Sequence, residues 1–215
     1  MMVVDLFTAF TAGLLLVGLA ELGDKTFFIA ALLAMNYSRR LVFLGAFTAL
    51  ATMTLLAVTA GQLIALLPPV VVRVGEITLF ATFGLKLLYD GFRMDRGQTG
   101  NEEVEEAQAA IAASEASQVH SKALPALSIA SKTFGLVFLG EWGDRTQITT
   151  VMLAATYQPV GVACGALSGF FLCIGLAVIA GRLVAGRLSE RFITLFAGVL
   201  FILFALAAML RYAAQ

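Results

Sequence analysis

A charged hexamer that occurs twice inside long apolar runs constrains this chain more than any other feature. Residues 21–26 read ELGDKT, and residues 141–146 read EWGDRT. The two copies place four carboxylates and two cations in segments that are otherwise strongly apolar. An ionisable side chain inside a membrane-spanning helix costs several kcal/mol and marks a functional site by default. The hexamers are therefore the first candidates for a functional site.

The composition places the rest of the chain in a lipid bilayer. Hydrophobic residues make up 60% of the sequence and charged residues only 13%. In soluble domains about 45–50% of the residues are apolar and about 25% are charged. The formal net charge is zero. There is thus no broad basic surface, and no nucleic-acid partner is expected.

Six apolar stretches are long enough to be membrane-spanning helices, which need about 20 residues. They are residues 6–35, 41–67, 76–94, 127–156, 159–181 and 192–211. The first lacks the basic start of a signal peptide, so we expect it to be retained. A helix of its length would measure about 45 Å against a hydrocarbon core of about 30 Å. It must tilt or break, and Gly23 is the expected place for a break.

The similarity between the two halves extends well beyond the hexamers. Position 141 minus position 21 gives an offset of 120 residues. That offset, or 116 after a four-residue shortening, also relates 45–46 to 165–166, 56–58 to 176–178, and 77–81 to 193–197. Three spans per copy is an odd number, so the second copy would enter the membrane from the opposite side. The sequence predicts an all-α integral membrane protein with six transmembrane helices in two inverted-topology three-helix repeats.

The distribution of Lys and Arg between the loops predicts the orientation. If the N-terminus is external, most loop Lys and Arg residues are cytoplasmic, and only Arg73 and Arg211 are external. Both termini are therefore expected outside. The predicted divisions are a first repeat at 1–94, an acidic cytoplasmic linker at 95–126 and a second repeat at 127–215.

The linker is the one long polar segment of the sequence. Its acidic cluster is made of Glu102, Glu103, Glu105 and Glu106. With the alanines that follow, they predict a short helix that Asn101 could cap. We interpret this helix as a solvated connection between the two halves, with a weak cation collector as the alternative.

On a regular helix each hexamer would present its two carboxylates on one edge, because residues three apart share a face. Glu21 and Asp24 would point the same way, as would Glu141 and Asp144. In the second half Gln147 would lie beside Asp144 and could add an amide oxygen.

Two hydroxyls of the motif lie away from this edge on a regular helix. Thr26 and Thr146 could contribute only if the helix breaks at the glycine, or through a neighbouring helix. The corresponding glutamine position in the first half is Phe27, so the predicted site is not perfectly symmetric.

The predicted ligand set is made of oxygens. Such a set suits Mg²⁺, Ca²⁺ and Mn²⁺, whereas Zn²⁺ and Cu⁺ would require His or Cys, which these segments lack. Lys25 and Arg145 reduce the four negative charges of the carboxylates to two. One divalent cation or two protons would neutralise that remainder, and a site in hydrocarbon must hold one or the other. Cation/proton exchange is therefore the hypothesis.

Two other interpretations remain open. Glu21–Lys25 and Glu141–Arg145 are spaced i, i+4 and could be buried ion pairs that only fix helix packing. The alternative function is export of an amino acid or small solute whose carboxylate would bind the cations. The carboxylates outnumber the cations two to one, which favours a cation as the substrate.

The two cysteines have no predicted part in the site. Cys164 and Cys173 are nine residues apart in one predicted helix, which puts them on opposite faces and about 13 Å apart. A disulfide between them is excluded while that helix is intact. Both are interpreted as packing thiols.

The paired pattern E-x-G-D-[KR]-T, in two three-helix halves joined by an acidic linker, resembles the Gdt-one family. These are manganese/calcium–proton exchangers of bacteria, of thylakoid and chloroplast membranes and of the Golgi. The resemblance covers nearly the whole chain outside the linker. It implies a cation site at Glu21, Asp24, Glu141 and Asp144, with Lys25, Thr26, Arg145 and Thr146 completing the motifs.

The resemblance also implies the activity. It implies a transporter and not an enzyme, without a cofactor, in a bacterial inner membrane. Its substrates would be a divalent cation and protons. The chain would export Mn²⁺, and Ca²⁺ as a second substrate, in exchange for protons by alternating access at the carboxylate site.

Overall fold

Every element of secondary structure in the described part of the chain is a helix. The computed structural model describes residues 2–22, 24–94, 101–116, 126–184 and 190–213, and no strand occurs among them. In chain order the elements are α1 Met2–Ala12, a π-helical turn Gly13–Val17, α2 Gly18–Ala20, α3 Lys25–Asn36, α4 Arg39–Ile64, α5 Pro69–Arg93, α6 Asn101–Ala116, α7 Ala126–Gly140, α8 Arg145–Thr156, α9 Pro159–Val184 and α10 Glu190–Ala213.

Three of the described helices are long and apolar enough to cross a membrane. These are α4, α9 and α10. A fourth span is possible if the bent pair formed by Asp5–Ala20 and α3 is counted as one. Helix α5 is 25 residues long, but Arg73, Glu76, Lys86 and Asp90 lower its hydropathy.

Two predicted single helices are each broken in two. The predicted span 6–35 bends by 66° between Ala20 and Lys25, as its excess length required. Gly23, the expected break, lies outside the described residues. The predicted span 127–156 is divided into α7 and α8 by a turn that begins at Glu141. The sequence left this second break open, as the condition under which Thr146 contributes.

The predicted start of the third span lies too far along the chain. Helix α5 begins at Pro69, seven residues before the predicted start at 76. Proline is favoured in the first turn of a helix because its missing N–H has no partner to lose there. Glu76 therefore lies two turns inside the helix and not at its end.

Glycines on α9 allow α1 and α2 to approach it closely. A Cβ added at Gly169 would lie 2.6 Å from the Cα of Gly18, and one added at Gly165 would meet the carbonyl oxygen of Phe10. Small residues permit such contacts between membrane helices, where close packing replaces the hydrophobic driving force. This contact holds the end of α2, and with it Glu21, against α9.

The two halves of the chain interlock around the broken helices. Helix α4 packs along both α7 and α8, while α3 packs against α9. Helices α5 and α10 pack together along most of their length, with the rings of Phe80 and Phe201 in edge-to-face contact at 5.9 Å. The turns that interrupt the two hexamers therefore lie between helices from both halves.

The linker helix is not fully solvated. Helix α6 packs against α3 and α7, and Ala107 is completely buried in that contact. Val104 and Ile111 are partly buried against the same core. The predicted helix is present, but the expectation that it only connects the two halves through solvent is wrong for this face.

The close contact of α9 with α1 predicts a stability effect. Gly165→Ala would force a methyl group against backbone that cannot move aside, and overpacking of this kind costs about 1–3 kcal/mol. We expect the midpoint of thermal unfolding in detergent to fall. Gly175→Ala on the same helix is the matched control, because the nearest atom to its added Cβ is 4.0 Å away. Equal midpoints for the two variants would contradict this packing account.

Candidate cation site

Both hexamers lie at a helix break, and both breaks use the same backbone hydrogen bonds. In each, the glutamate N–H donates to the carbonyl four residues earlier, at 3.2 Å in the first copy and 3.0 Å in the second. The aspartate N–H then donates to the glutamate carbonyl, at 3.2 Å and 3.1 Å. The aspartate carbonyl accepts the N–H four residues later, at 3.2 Å and 3.0 Å. The repeated sequence thus folds twice into the same local structure.

The second break shows why the motif contains glycine and aspartate. Gly143 has a φ of +81°, a backbone conformation that residues other than glycine rarely adopt. Asp144 follows as the N-cap of α8, and its Oδ2 accepts the N–H of Thr146 at 3.4 Å. Asp24 occupies the same N-cap position before α3. Each break therefore ends one helix and starts another with its positive N-terminal end at the hexamer.

Three of the four predicted carboxylates converge. Oxygens of Glu21, Asp24 and Glu141 all lie within 4.8 Å of one another. Glu21 is completely buried and Glu141 is 2% exposed. The cluster combines residues from both hexamers, which is the arrangement that a single cation between the two halves requires.

The threonines of the motif reach this cluster because the helices break. Thr26 Oγ1 donates to Glu21 Oε1, and Thr146 Oγ1 donates to Glu141 Oε2 at 2.9 Å. Both hydroxyls are buried. The sequence predicted that the threonine hydroxyls can reach the carboxylates only if the helices break. Both helices break, and both hydroxyls reach a glutamate.

Two buried side-chain oxygens are left without a hydrogen-bond partner in the described part of the chain. They are Glu21 Oε2 and Thr149 Oγ1. Buried polar atoms are nearly always hydrogen-bonded, so an orphaned oxygen calls for an explanation. A cation bound at the carboxylate cluster would supply the missing partner of Glu21.

The cations do not form the ion pairs that their spacing suggested. Arg145 Nη2 lies 3.0 Å from Asp24 Oδ1, which joins the second hexamer to the first. Lys25 Nζ instead lies 3.3 Å from Glu106 Oε2 on α6. Arg145 thus pairs with a residue of the other half, and Lys25 pairs with a residue of the linker. The interpretation of Glu21–Lys25 as an i, i+4 ion pair is wrong.

Asp144 and Gln147 lie beside the cluster and not within it. Asp144 caps α8 and is not among the three carboxylates that converge. Gln147 Oε1 accepts the N–H of Gly143 at 2.7 Å. The amide oxygen that was predicted as a ligand therefore accepts a hydrogen bond within the turn. Gln147 also lines a small cavity together with Glu141.

Two larger cavities lie near opposite ends of α8. The first, of about 470 Å³, is lined by Asp24, Lys25, Glu106, Asp144 and Arg145 among others, and reaches the cation site beside α6. The second, of about 320 Å³, is lined by Thr156 at the other end of α8. Its described lining contains no hexamer residue. The carboxylates of Asp24 and Asp144 thus line the cavity beside α6.

The second cavity contains a buried carboxylate that the sequence analysis missed. Glu76 is 3% exposed, and its Oε1 lies 3.0 Å from Arg211 Nη2. The same guanidinium donates to the Tyr157 hydroxyl at 2.6 Å. The Pro68–Pro69 pair was the available signal, because it marks a helix start well before Glu76.

Comparison with known proteins identifies the family. The family model described as divalent cation/proton antiporter GDT1 matches residues 9–95 and 129–215. This is the Gdt-one family that the paired motif resembles. The chain belongs to this family.

Relatives of this antiporter come from cyanobacteria and plants. GDT1-like protein sll0615 of Synechocystis is 47% identical, over 94% of this chain and 97% of that protein. GDT1-like protein 2, chloroplastic, of Oryza sativa is 40% identical, over 93% of this chain and 60% of that protein. Protein PAM71-homolog, chloroplastic, of Arabidopsis thaliana is 39% identical, over 93% of this chain and 58% of that protein. The antiporter thus spans about three fifths of the two chloroplast relatives. No solved structure matches it.

The hydrogen bond from Thr146 to Glu141 predicts a loss of cation affinity when it is removed. Thr146→Val keeps the shape of the side chain but deletes the donor, and loss of such a supporting group weakens metal binding by about 10–100-fold. Thr146→Ser should retain most of the affinity. The measurement is Mn²⁺ binding to the purified protein, with Thr52→Val on α4 as the control. Equal affinities for Thr146→Val and Thr52→Val would remove Thr146 from the site.

Proposed function

We propose that the chain exports Mn²⁺, and Ca²⁺ as a second substrate, from the cytoplasm in exchange for protons. Membership of a divalent cation/proton antiporter family supports the exchange. The observation that carries the proposal is the convergence of Glu21, Asp24 and Glu141 within 4.8 Å. Carboxylate and hydroxyl oxygens are the ligands that Mn²⁺ and Ca²⁺ accept.

The site lies where alternating access needs it. Its ligands come from two hexamers 120 residues apart, and the Arg145–Asp24 pair also joins the halves. When a site lies between two halves, rocking of one half against the other can change the side from which it is reached. A site formed within one half would not be opened and closed by such a movement.

The charges around the site connect the cation to protons. Lys25 is paired with Glu106, so of the two hexamer cations Arg145 is the one left to offset the four hexamer carboxylates, which leaves three negative charges within the hexamers. This is one more than the sequence suggested. A divalent cation and one proton would neutralise three charges, and release of the cation would require two further protons. Exchange of one cation for two protons would keep the buried site neutral in both states.

We assign the two larger cavities to the two sides of the membrane from which the site is reached in turn. The linker-side cavity reaches Asp24 and Arg145. On the far side the Glu76–Arg211 pair and the Tyr157 hydroxyl join α5, α10 and the loop before α9. Separation of this contact would be needed to open the far side. In this proposal the cavity beside α6 is the open one, and the site faces the linker side.

The proposed topology keeps the predicted six spans and inverted repeats. The repeats are residues 1–94 and 127–215, with the linker 95–126 on the cytoplasmic side and both termini external, in a bacterial inner membrane. The matching hydrogen bonds of the two breaks support the duplication. The packing of α3 on α9 and of α4 on α7 and α8 supports an arrangement in which the halves interlock.

Export of an amino acid or small solute is disfavoured by the placement of the cations. Arg145 contacts Asp24 at 3.0 Å and Lys25 contacts Glu106 at 3.3 Å. Binding of a substrate carboxylate at either cation would break an existing ion pair. No described contact favours this second function over cation transport.

The direct test is transport by the purified protein in liposomes with an acidic lumen. We expect uptake of Mn²⁺ coupled to loss of lumenal protons, and faster uptake as the pH gradient increases. Glu21→Gln, Asp24→Asn, Glu141→Gln and Asp144→Asn should each reduce the initial rate by at least about tenfold, because each removes an anionic oxygen that binds the cation or lies beside it.

The matched control is Asp90→Asn, because Asp90 is a partly exposed carboxylate on α5 outside both hexamers. It should transport at the normal rate. Mn²⁺ flux that ignores the pH gradient would exclude proton exchange. Normal rates in all four hexamer variants would show that the carboxylates are structural.

A further inference from the structure

Two sulfur atoms flank the candidate cation site, one from each half of the chain. Met53 on α4 lines the small cavity that also contains Glu141 and Gln147, and its Sδ lies 3.8 Å from Gln147 Nε2. Cys173 on α9 directs its thiol to the main-chain carbonyl of Glu21 at 3.4 Å. Both residues are buried. Each hexamer glutamate therefore has a sulfur-containing neighbour.

The two positions are related by the repeat. Position 173 minus position 53 gives 120, the same offset that relates the two hexamers. The pair was not found from the sequence because the side chains differ, and because Cys173 was interpreted as a packing thiol. Matching positions in the two halves thus place a thioether and a thiol near the same group of carboxylates.

One carboxylate oxygen of the cluster lacks a partner. Glu21 Oε2 is buried without a hydrogen-bond partner among the described residues. Phe170, one turn before Cys173 on α9, lines the same small cavity as Met53. The small cavity beside Glu141 is thus lined by α4 and by the turn of α9 that precedes Cys173.

We propose that Met53 and Cys173 form a sulfur flank that favours transition-metal cations over Ca²⁺ at this site. The inference rests on the proposed function and concerns its substrate preference. Ca²⁺ takes oxygen ligands almost exclusively, whereas first-row transition metals accept sulfur as well as oxygen and nitrogen. A sulfur atom in place of a water or oxygen ligand therefore costs Ca²⁺ more than it costs Mn²⁺.

The preference can be separated from cation size by comparing Cd²⁺ with Ca²⁺. The two ions have nearly the same radius, but Cd²⁺ binds sulfur strongly and Ca²⁺ does not. The test is inhibition of Mn²⁺ transport by each ion in liposomes that contain the full chain. The quantity compared between variants is the ratio of the two inhibitory concentrations.

Met53→Leu removes the sulfur at nearly constant volume. We expect it to lower the preference for Cd²⁺ over Ca²⁺ by about tenfold, which corresponds to about 1.4 kcal/mol. Met53→Gln puts an amide oxygen in place of the sulfur and should shift the ratio further toward Ca²⁺. Cys173→Ser exchanges sulfur for oxygen on the other side and should act in the same direction.

The chain supplies matched controls for both substitutions. Met152→Leu changes a half-buried methionine on α8, and Cys164→Ser changes the exposed cysteine on the same helix as Cys173. Neither should change the ratio. If a Met53 or Cys173 variant is poorly folded in detergent, the ratio is read from the other two variants. Wild-type ratios in the folded Met53 and Cys173 variants would overturn the inference.

Failure of the proposed function would look different. If wild-type protein transports no Mn²⁺ against a pH gradient, the exchange itself is wrong. The sulfur flank is then judged from direct binding of Cd²⁺ and Ca²⁺ to the same purified variants. A tenfold loss of preference in binding would still support it, and an unchanged preference would exclude it.

Discussion

The cost of placing carboxylates in the interior of a membrane protein is the constraint on which the rest of this structure depends. A buried carboxylate needs counter-charge or hydrogen-bond donors to replace water. Thr26 and Thr146 supply hydroxyl donors, and Arg145 supplies a positive charge to the opposite hexamer. The compensation is incomplete at Glu21, where one oxygen has no partner in the described chain. A bound cation would supply the partner that this oxygen lacks.

This compensation is possible only because both helices are interrupted. In a continuous helix the threonine five residues after the glutamate would point to another face, whereas at the breaks it turns back to the carboxylate. The break also brings the N-terminal end of the next helix to the hexamer, where its positive end stabilises negative charge. Packing holds the breaks in place, since α9 contacts α1 and α2 through glycines and α4 contacts α7 and α8.

The sequence predicted the elements that follow from hydropathy and repetition, and it missed those that depend on local geometry. The hexamer residues, the helical class and the break in the first helix could be read from charge, apolar length and the internal offset. The second break could have been predicted by the same argument, because the span 127–156 is also 30 residues long and contains the matching glycine, Gly143. The partner of Lys25 could not be predicted, since Glu106 approaches it only when α6 docks on α3. Glu76 and Met53 were missed because their importance comes from contacts with distant helices.

The central claim is that the two hexamers form one cation site between the halves of the chain. The most direct measurement is a structure of the protein with Mn²⁺, in which the metal is located by its anomalous scattering. We expect a single manganese peak in contact with carboxylate oxygens of Glu21, Asp24 and Glu141. Two separate peaks, one at each hexamer, or a peak that contacts only one half of the chain, would contradict this account.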